Sequence, residues 1–181
     1  MTTPPSGDVI EGGPVTPIIA LAPPRASQWL VVNDNVMGGR SSGELQLAPK
    51  GLIFAGSLDT NGGGFSSIRS RSLDAALAPF EGLAIRVRGD GRDYACDLRE
   101  SATVSGSGVA WKAYFTTAPR VSVDLWLPFV AFEPTWRGTV VRQRGGGAES
   151  TFHHTIHSLG FTIADKRDGP FRLEITGIGA Y

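Results

Sequence analysis

Alternation of apolar and polar residues is the dominant pattern along the chain. In the run GLAIRVRG, Leu83, Ile85 and Val87 share one face of an extended strand, and the intervening arginines share the other. Nine strands are predicted from such runs, namely GLAIRVRG, GVAWKAYFTT, VSVDLWLPF, LGFTIADK and FRLEITGI together with 29–32, 44–47, 52–58 and 65–71. Only the segment 152–158 is a candidate for one or two helical turns. The pattern therefore predicts an all-β chain folded as a β-sandwich or jelly roll.

Glycine and proline separate these runs and define the domain organisation. With 24 glycines and 12 prolines among 181 residues, the chain turns often and is long enough for one domain. We expect a flexible N-terminal tail over 1–24 and a single β-sandwich domain over 25–181. Within the tail, 15–21 is apolar enough to pack as a short first strand. The Gly-rich and locally basic segment 137–150 is expected to be a mobile loop.

Charge and composition exclude several functional classes. Lys plus Arg and Asp plus Glu both number 17, so the net charge of zero predicts neither nucleic acid nor an anionic membrane as partner. No uninterrupted apolar run approaches about 18 residues, so no membrane insertion is expected. The N-terminus resembles neither a secretory signal nor a transit peptide, and we expect a cytoplasmic protein. The single cysteine, Cys96, alternates with Tyr94 and Leu98 and is predicted to be a small buried apolar residue.

Two Gly-rich stretches combine chemistry-bearing residues. WLVVNDNVMGGRSSG contains Asn33, Asp34, Met37, Arg40 and Ser41, and GSLDTNGGGFSSIRSR contains three consecutive glycines followed by Phe65, Ser67 and Arg69. Backbone N–H groups of such glycines are suited to bind an anion, but the sequence lacks the Lys-Ser/Thr of a phosphate-binding loop. The alternatives are a ligand site and a structural latch. In a latch, Asp34 accepts backbone N–H bonds or pairs with Arg40 or Arg69, and the glycines occupy a turn that a Cβ would obstruct.

Three other groups of residues are candidates for function. The run HHTIH has histidines four apart, but it lacks the glutamate of a zinc-binding helix, so an exposed polar turn is favoured and no metal or other cofactor is predicted. Loops carrying Asp34, Arg40, Asp90 and Arg92 would support a hydrolase only if these groups met in one pocket. By strand parity, Tyr114 and Trp126 lie on polar faces, which is typical of a sugar-stacking platform or of a protein-binding patch.

Five motifs in order resemble one known family. They are VNDNVMGGRSSG, FAGSLDTNGGGFSSIRS, FEGLAIRVRGDGRDY, LPFVAFEPTWRG and LGFTIADKRDGPFRLEITGI, and they span about residues 27 to 181. The chain thereby resembles the complex I intermediate-associated protein 30 family. The family pattern falls on Asn33, Asp34, Met37, Gly38, Gly39, Ser41, Gly63, Gly64, Phe65, Ser67, Arg69, Gly89, Asp90, Gly91, Tyr94, Asp168, Gly169, Pro170 and Phe171. We refer to these positions as the signature residues.

The resemblance implies a galactose-binding-like β-sandwich, a jelly-roll relative of carbohydrate-binding modules. It also implies a non-catalytic assembly factor, since the mitochondrial members of the family act as chaperones in the assembly of respiratory complex I (NADH:ubiquinone oxidoreductase). This chain looks like a stand-alone, bacterial-type member. Its expected partner is a protein, such as a complex I subunit or assembly intermediate. A glycan is the alternative ligand, and a hydrolase is the least favoured function.

Overall fold

The computed structural model describes residues 15–21, 28–71, 73–100, 108–141 and 152–181. These residues contain no α-helix, and 3-10 helices span Asp34–Met37 and Phe129–Ala131. The strands are β1 (Thr16–Pro17), β2 (Trp29–Asn33), β3 (Ser42–Ala48), β4 (Gly51–Leu58), β5 (Ser66–Ser70), β6 (Ala75–Ala76), β7 (Gly82–Arg88), β8 (Asp93–Glu100), β9 (Ala110–Thr116), β10 (Ser122–Pro128), β11 (Glu133–Trp136), β12 (Thr139–Val140), β13 (Thr155–Ile163) and β14 (Gly169–Ala180). The prediction of an all-β fold is confirmed.

Two antiparallel sheets form the sandwich. The smaller sheet has the order β10-β7-β14-β4-β3, with β1 added on β14. The larger sheet has the order β12-β11-β9-β8-β13-β5-β2, with β6 added on β13. Because neighbours in each sheet are often distant in the chain, loops from all parts of the sequence meet at the ends of the sandwich.

The core lies between the two inner faces. Phe54 and Leu173 of the smaller sheet and Leu98 and Phe161 of the larger sheet have no exposed surface. Cys96 lies among them as a buried free thiol, which confirms its prediction as a core residue. Burial raises the pKa of this thiol well above its ordinary value, so Cys96 stays in its protonated form.

The predicted strands correspond to β2–β5, β7, β9, β10, β13 and β14, whereas five observed strands were not among the nine. One of them, β1, lies in the segment 15–21 that was expected separately as a short first strand, and the other four were not foreseen. β8 is the longest of these strands, and it was not predicted although the alternation around Cys96 was noted. It lies between β13 and β9 in the larger sheet. The others, β6, β11 and β12, are two to four residues long and too short to show a period.

The helical interpretation of 152–158 is wrong. β13 begins at Thr155, and Ile156 is fully buried opposite Glu100 and Ala75. Pairing with β8 and β6 places this segment in the larger sheet. The strand was missed because the few residues that precede this pairing are too short a run to show an alternating pattern. The predicted loop 137–150 contains β12, and its remainder over 142–150 lies outside the described residues.

The N-terminal part of the chain is described only at 15–21. There Thr16 and Pro17 pair with Ala180 and Gly179, and Leu21 is buried in the core. The expected packing of 15–21 as a first strand is therefore confirmed for β1. The proposed boundary between a flexible tail at 1–24 and a domain at 25–181 stays a prediction.

Candidate functional site

Five loops that carry most of the signature residues lie at one end of the sandwich. Antiparallel pairing puts Leu58 opposite Gly169, Asn33 opposite Ser66 and Ile163 opposite Tyr94, so the loops that follow or precede these residues are neighbours. We call this the signature end. It comprises the loops 34–41, 59–65, 89–92, 117–121 and 164–168.

Asp34 is the centre of the first hydrogen-bond network at this end. Its side chain has no exposed surface. Oδ1 accepts the Ser41 N–H at 2.9 Å, and Oδ2 accepts the Ser41 hydroxyl at 2.7 Å and the backbone N–H groups of Gly64 at 2.6 Å and Phe65 at 3.3 Å. The N–H groups of the three-glycine loop thus bind an anion, and that anion is the protein's own carboxylate. We call this network the Asp34 latch.

Hydrogen bonding determines the ionisation of the latch. Burial alone would raise the pKa of Asp34, but the hydrogen bonds from Ser41, Gly64 and Phe65 outweigh it and hold the pKa below the ordinary value of 3.8. Among the ion pairs of the described residues, none joins Asp34 to an arginine. Of the two partners expected for Asp34, the backbone N–H groups are confirmed, and the pairing with Arg40 or Arg69 is wrong.

Two glycines, Gly39 and Gly63, give the Asp34 carboxylate its space. A Cβ on Gly39 would lie 2.2 Å from Cγ of Asp34, and one on Gly63 would lie 2.4 Å from Oδ2. Gly38 has open space around it but a φ of +88°, which side chains other than hydrogen rarely adopt. The Gly-Gly pair therefore serves two separate needs, left-handed backbone at Gly38 and close approach at Gly39.

These two needs are separable by substitution. We expect Gly38→Ala to lower the free energy of unfolding by about 1–2 kcal/mol through backbone strain alone. Gly39→Ala should lower the free energy of unfolding by more than Gly38→Ala does, because the methyl group displaces the Asp34 carboxylate from its donors. Chemical denaturation of both variants checks this, and equal losses would contradict the steric explanation for Gly39.

Asn33 fixes the neighbouring strands. Its Oδ1 accepts the Gly43 N–H at 3.0 Å and the Ser66 hydroxyl at 2.6 Å, and its Nδ2 donates to the Gly43 carbonyl at 3.2 Å. A Cβ on Gly43 would lie 1.9 Å from Ser66 Oγ, so the close contact requires glycine. Asn33 thereby joins β2 and β5 of the larger sheet to β3 of the smaller one.

Arg92 is the centre of a second network. Its guanidinium forms two bonds to the Asp165 carboxylate, at 2.9 Å from Nε and 2.6 Å from Nη2, and Nη1 donates to the carbonyls of Gly169 and Pro170 at 2.9 Å each. Nη2 also contacts the Arg167 carbonyl. The Arg92 and Asp165 side chains are only 9% and 1% exposed. We call this the Arg92 cluster.

The ionised forms of this pair stabilise one another. The hydrogen bond to Asp165 raises the pKa of Arg92 despite burial. Burial would raise the pKa of Asp165, but the bonds from Arg92 and Arg167 keep it below the ordinary value. Nothing near Asp165 in the chain indicates an arginine partner 73 positions away, so this pair was not predicted from the sequence.

Asp90 is also used within the fold. It accepts the Arg92 N–H at 3.1 Å, the Tyr94 hydroxyl at 3.0 Å and the Arg172 N–H at 2.6 Å. Burial, followed by the nearby Asp90 charge, raises the pKa of Tyr94 far above its ordinary value, so this hydroxyl stays a donor. Asp34 and Asp90 lie at the same end but in separate networks, and the single catalytic pocket that a hydrolase requires is not formed by Asp34, Arg40, Asp90 and Arg92.

The loop 59–65 connects the two networks. The Asp59 N–H donates to the Ser41 hydroxyl at 3.1 Å, next to the Asp34 latch. One residue later, the Thr60 N–H donates to the Asp168 carboxylate at 2.7 Å, on the loop that supplies carbonyls to Arg92. The signature residues thus hold four loops in fixed relative positions.

Not every signature-loop residue serves this network. Val36 and Met37, in the 3-10 helix after Asp34, are 72% and 69% exposed. Arg40 is also exposed, whereas Phe65 is half-buried and Ser67 is buried, its hydroxyl 3.3 Å from the Val32 carbonyl. The latch therefore presents two apolar side chains to solvent at a rigid position.

Tyr114 and Trp126 do not share a surface. Tyr114 lies on β9 with its side chain on the outer face of the larger sheet, where it is 60% exposed. Trp126 lies on β10 on the outer face of the smaller sheet, half-buried against Tyr181 with ring centroids 4.7 Å apart. A single stacking platform built from both rings is therefore wrong.

The histidines have structural partners. His153 contacts the buried carboxylate of Glu100 through its backbone N–H at 2.5 Å, and Nδ1 of His157 lies 2.8 Å from Asp74. His154 packs against the ring of Phe129. Within the described part of the chain, no three or more His, Cys, Asp or Glu side chains are grouped to hold a metal ion.

A known protein family matches most of this chain. The family model described as complex I intermediate-associated protein 30 matches residues 21–175, which is most of the chain. The chain belongs to the complex I intermediate-associated protein 30 family. Several of the signature residues, among them Asp34, Gly64 and Asp90, build the Asp34 latch and the surroundings of Arg92.

Two curated relatives are members from animals. The chain is 29% identical over 174 residues to the mitochondrial complex I intermediate-associated protein 30 of Mus musculus, covering 85% of this chain and 52% of the relative. It is 27% identical over 184 residues to the Drosophila melanogaster protein of the same name, covering 87% and 60%. The chain thus spans between about half and three fifths of the length of the curated relatives it matches.

Solved structures establish the fold class. A family 11 carbohydrate-binding module of a Clostridium thermocellum cellulosomal cellulase superposes with a TM-score of 0.58 at 16% identity, covering 84% of this chain and 85% of that one. An agarase superposes with a TM-score of 0.58 at 10% identity, covering 92% of this chain and 24% of the agarase. The predicted galactose-binding-like jelly-roll sandwich is confirmed by this likeness, which concerns the fold alone.

None of the described residues forms a helix of the length and apolar character needed to cross a bilayer.

Proposed function

We propose that this chain is a non-catalytic assembly factor that binds protein intermediates of respiratory complex I. Membership of the family and the names of the mouse and fly relatives support this role. The carboxylates of the signature end support it from the chemistry, because Asp34, Asp90 and Asp165 are occupied by donors from their own fold. A cytoplasmic location stays a prediction, and both relatives are named as mitochondrial.

The exposed pair Val36–Met37 carries the proposal of a protein partner. The Asp34 latch fixes the backbone on both sides of the 3-10 helix, so the two side chains project from a rigid loop. Burying an exposed apolar side chain stabilises a complex by about 1.5–3 kcal/mol, and a rigid position reduces the entropy lost on binding. Methionine is also adaptable in shape and is enriched at protein interfaces.

Substitution of this pair tests the proposal. We expect the double variant Val36→Ser, Met37→Ser, used as a tagged bait in the host cell, to recover complex I subunits at least tenfold less well than the unchanged protein. Two lost apolar contacts exceed the 1.4 kcal/mol that corresponds to a factor of ten. Quantitative mass spectrometry of the co-purified proteins measures the recovery.

The matched control is Val130→Ser. Val130 is 94% exposed but follows β10, at the opposite end of the sandwich from the signature end. Its recovery of complex I subunits should equal that of the unchanged protein. If the unchanged protein recovers no complex I subunit, the proposed function is overturned. If the double variant recovers as much as the control, the binding surface lies elsewhere.

Glycan binding is the second candidate, and a single observation favours it. Tyr114 exposes its ring on an outer sheet face, which suits stacking on a sugar. A related fold has been solved with a β-1,3-1,4-mixed-linked tetrasaccharide, at 16% identity and a TM-score of 0.55. Calorimetric titration with that tetrasaccharide tests this candidate. Saturable binding that is lost in the variant Tyr114→Ala would support glycan binding, and the absence of a binding heat would count against it.

A further inference from the structure

The outer face of the larger sheet carries a row of polar residues away from the signature end. The strand register aligns Arg69 on β5, Gly160 on β13, Asp97 on β8 and Lys112 on β9. Arg99 lies two residues beyond Asp97 on β8 and therefore on the same face. Three cationic side chains and one carboxylate are thus brought together from separate parts of the sequence.

Gly160 leaves room for a side chain to cross this row, because it carries no Cβ. A Cβ at Gly160 would lie 3.1 Å from Cγ of Arg69 and 2.4 Å from the Ile68 carbonyl. The Arg69 side chain therefore passes close over β13 in the direction of β8. The half-buried Arg69 guanidinium approaches the charges of both Asp97 and Arg99 in this way.

The carboxylate of this row is already paired. Asp97 is 1% exposed, and its Oδ1 lies 2.7 Å from Nζ of Lys112. Its Oδ2 accepts a hydrogen bond from the Thr162 hydroxyl. Asp97 therefore neutralises Lys112, and one carboxylate does not balance the two arginines as well.

One buried nitrogen of each arginine lacks an acceptor within the described part of the chain. Nε of Arg69 is buried without a hydrogen-bond partner, and so is Nε of Arg99. Among the described residues, the Arg99 guanidinium donates from Nη1 to the Gly108 carbonyl, at the long distance of 3.5 Å. Buried donors without acceptors are rare in folded proteins because each forgoes a hydrogen bond to water.

The electrostatics of the pair agree with the missing acceptors. Burial lowers the pKa of Arg69, and the nearby positive charge of Arg99 lowers it further, more than Asp97 compensates. Two neighbouring guanidinium groups repel each other, and an anion placed between them reduces this repulsion. Planar guanidinium groups bind carboxylate and phosphate oxygens through paired N–H bonds.

We propose that Arg69 and Arg99 form a binding site for the carboxylate or phosphate group of a small-molecule ligand, on the outer face of the larger sheet. The site is separate from the signature end and does not rest on the proposed role in complex I assembly. Arg69 is a signature residue, but it takes no part in the Asp34 latch or in the Arg92 cluster. Gly160 supplies the space for the Arg69 side chain. The ion pair of Asp97 and Lys112, whose charges cancel, lies beside it.

A titration followed at the arginine side chains tests the site. The Nε–H resonances of Arg69 and Arg99 are assigned by nitrogen-15 NMR, and inorganic phosphate or succinate is added at constant ionic strength. We expect saturable shifts of both resonances with at least one of the two anions. The anion that gives the lower dissociation constant distinguishes a phosphate site from a carboxylate site.

Variants separate a built site from general charge attraction. We expect Arg69→Gln and Arg99→Gln each to raise the dissociation constant at least tenfold, and Arg69→Lys to raise it by less. Arg40→Gln removes an exposed cation at the signature end and should leave the constant unchanged. Thermal unfolding of each variant verifies that it is folded. Linear shifts without saturation, or an equal effect of Arg40→Gln, would overturn the proposal.

Discussion

Replacing Asp34 with asparagine is expected to lower the free energy of unfolding by about 2–4 kcal/mol, because hydrogen bonds to a buried charged group contribute about 1.5–3 kcal/mol each. The Asp34 carboxylate accepts four hydrogen bonds, two from Ser41 and one each from Gly64 and Phe65. The amide of asparagine has one acceptor oxygen, and its NH2 group would face N–H donors. Equilibrium unfolding in urea, monitored by tryptophan fluorescence, measures the loss.

The matched control is Asp59→Asn in the adjoining loop. Asp59 accepts a single exposed bond, from the Asn61 N–H at 2.8 Å, so its replacement should change the free energy of unfolding by less than about 0.5 kcal/mol. Equal losses for the two variants would show that the latch is not specific to Asp34.

The difference in unfolding free energy between the unchanged protein and Asp34→Asn is expected to depend on pH. Since hydrogen bonding holds the folded-state pKa of Asp34 below its ordinary value of 3.8, the ionised group contributes its full stability above about pH 4 to 5. This contribution decreases as the pH falls through the folded-state pKa. The difference between the unchanged protein and Asp34→Asn should therefore shrink on acidification, and a constant difference from pH 7 to pH 3 would contradict the ionised latch.

Replacing Arg92 with alanine is expected to lower the free energy of unfolding by about 3–5 kcal/mol, the range for breaking a buried ion pair. The change leaves the Asp165 carboxylate, which is 1% exposed, without its main partner. It also removes the donors of the Gly169 and Pro170 carbonyls at the start of β14. Differential scanning calorimetry together with urea unfolding measures the effect.

Arg167→Ala is the matched control because Arg167 pairs with the same carboxylate. Its Nη2 lies 2.8 Å from Asp165, but its side chain is 51% exposed. Solvent screening limits such a pair to about 1 kcal/mol or less. If Arg167→Ala destabilised the protein as much as Arg92→Ala, burial of the Arg92 cluster would not be the cause.

The alternation of residues predicted most of the strands because each strand buries one face and exposes the other. That signal failed for β8, where Ala95 and Asp97 are also buried although they lie on the outer face. It failed again at 152–158, where only a few residues precede the pairing of β13 with β6 and β8. Both failures arise from contacts between distant segments, which a period within one segment does not show.

The signature loops were identified from sequence, but their partners were not. The glycines and Asp34 suggested either a ligand cradle or a latch, and only the fold shows that the carboxylate of one loop occupies the N–H groups of another, 30 positions away. The Arg92–Asp165 pair was missed for the same reason. The exposed position of Met37 was also inaccessible, since the motif gives no indication of which of its residues face solvent.

The position of β14 has a consequence for biosynthesis. This strand is the last in sequence order, yet it lies between β4 and β7 and pairs with both. A nascent chain on the ribosome cannot complete the smaller sheet until residues 169–180 have emerged, and until then Phe54 and Ile85 lack the neighbour that covers them. Folding of this domain is thus completed only after nearly all of it has been translated.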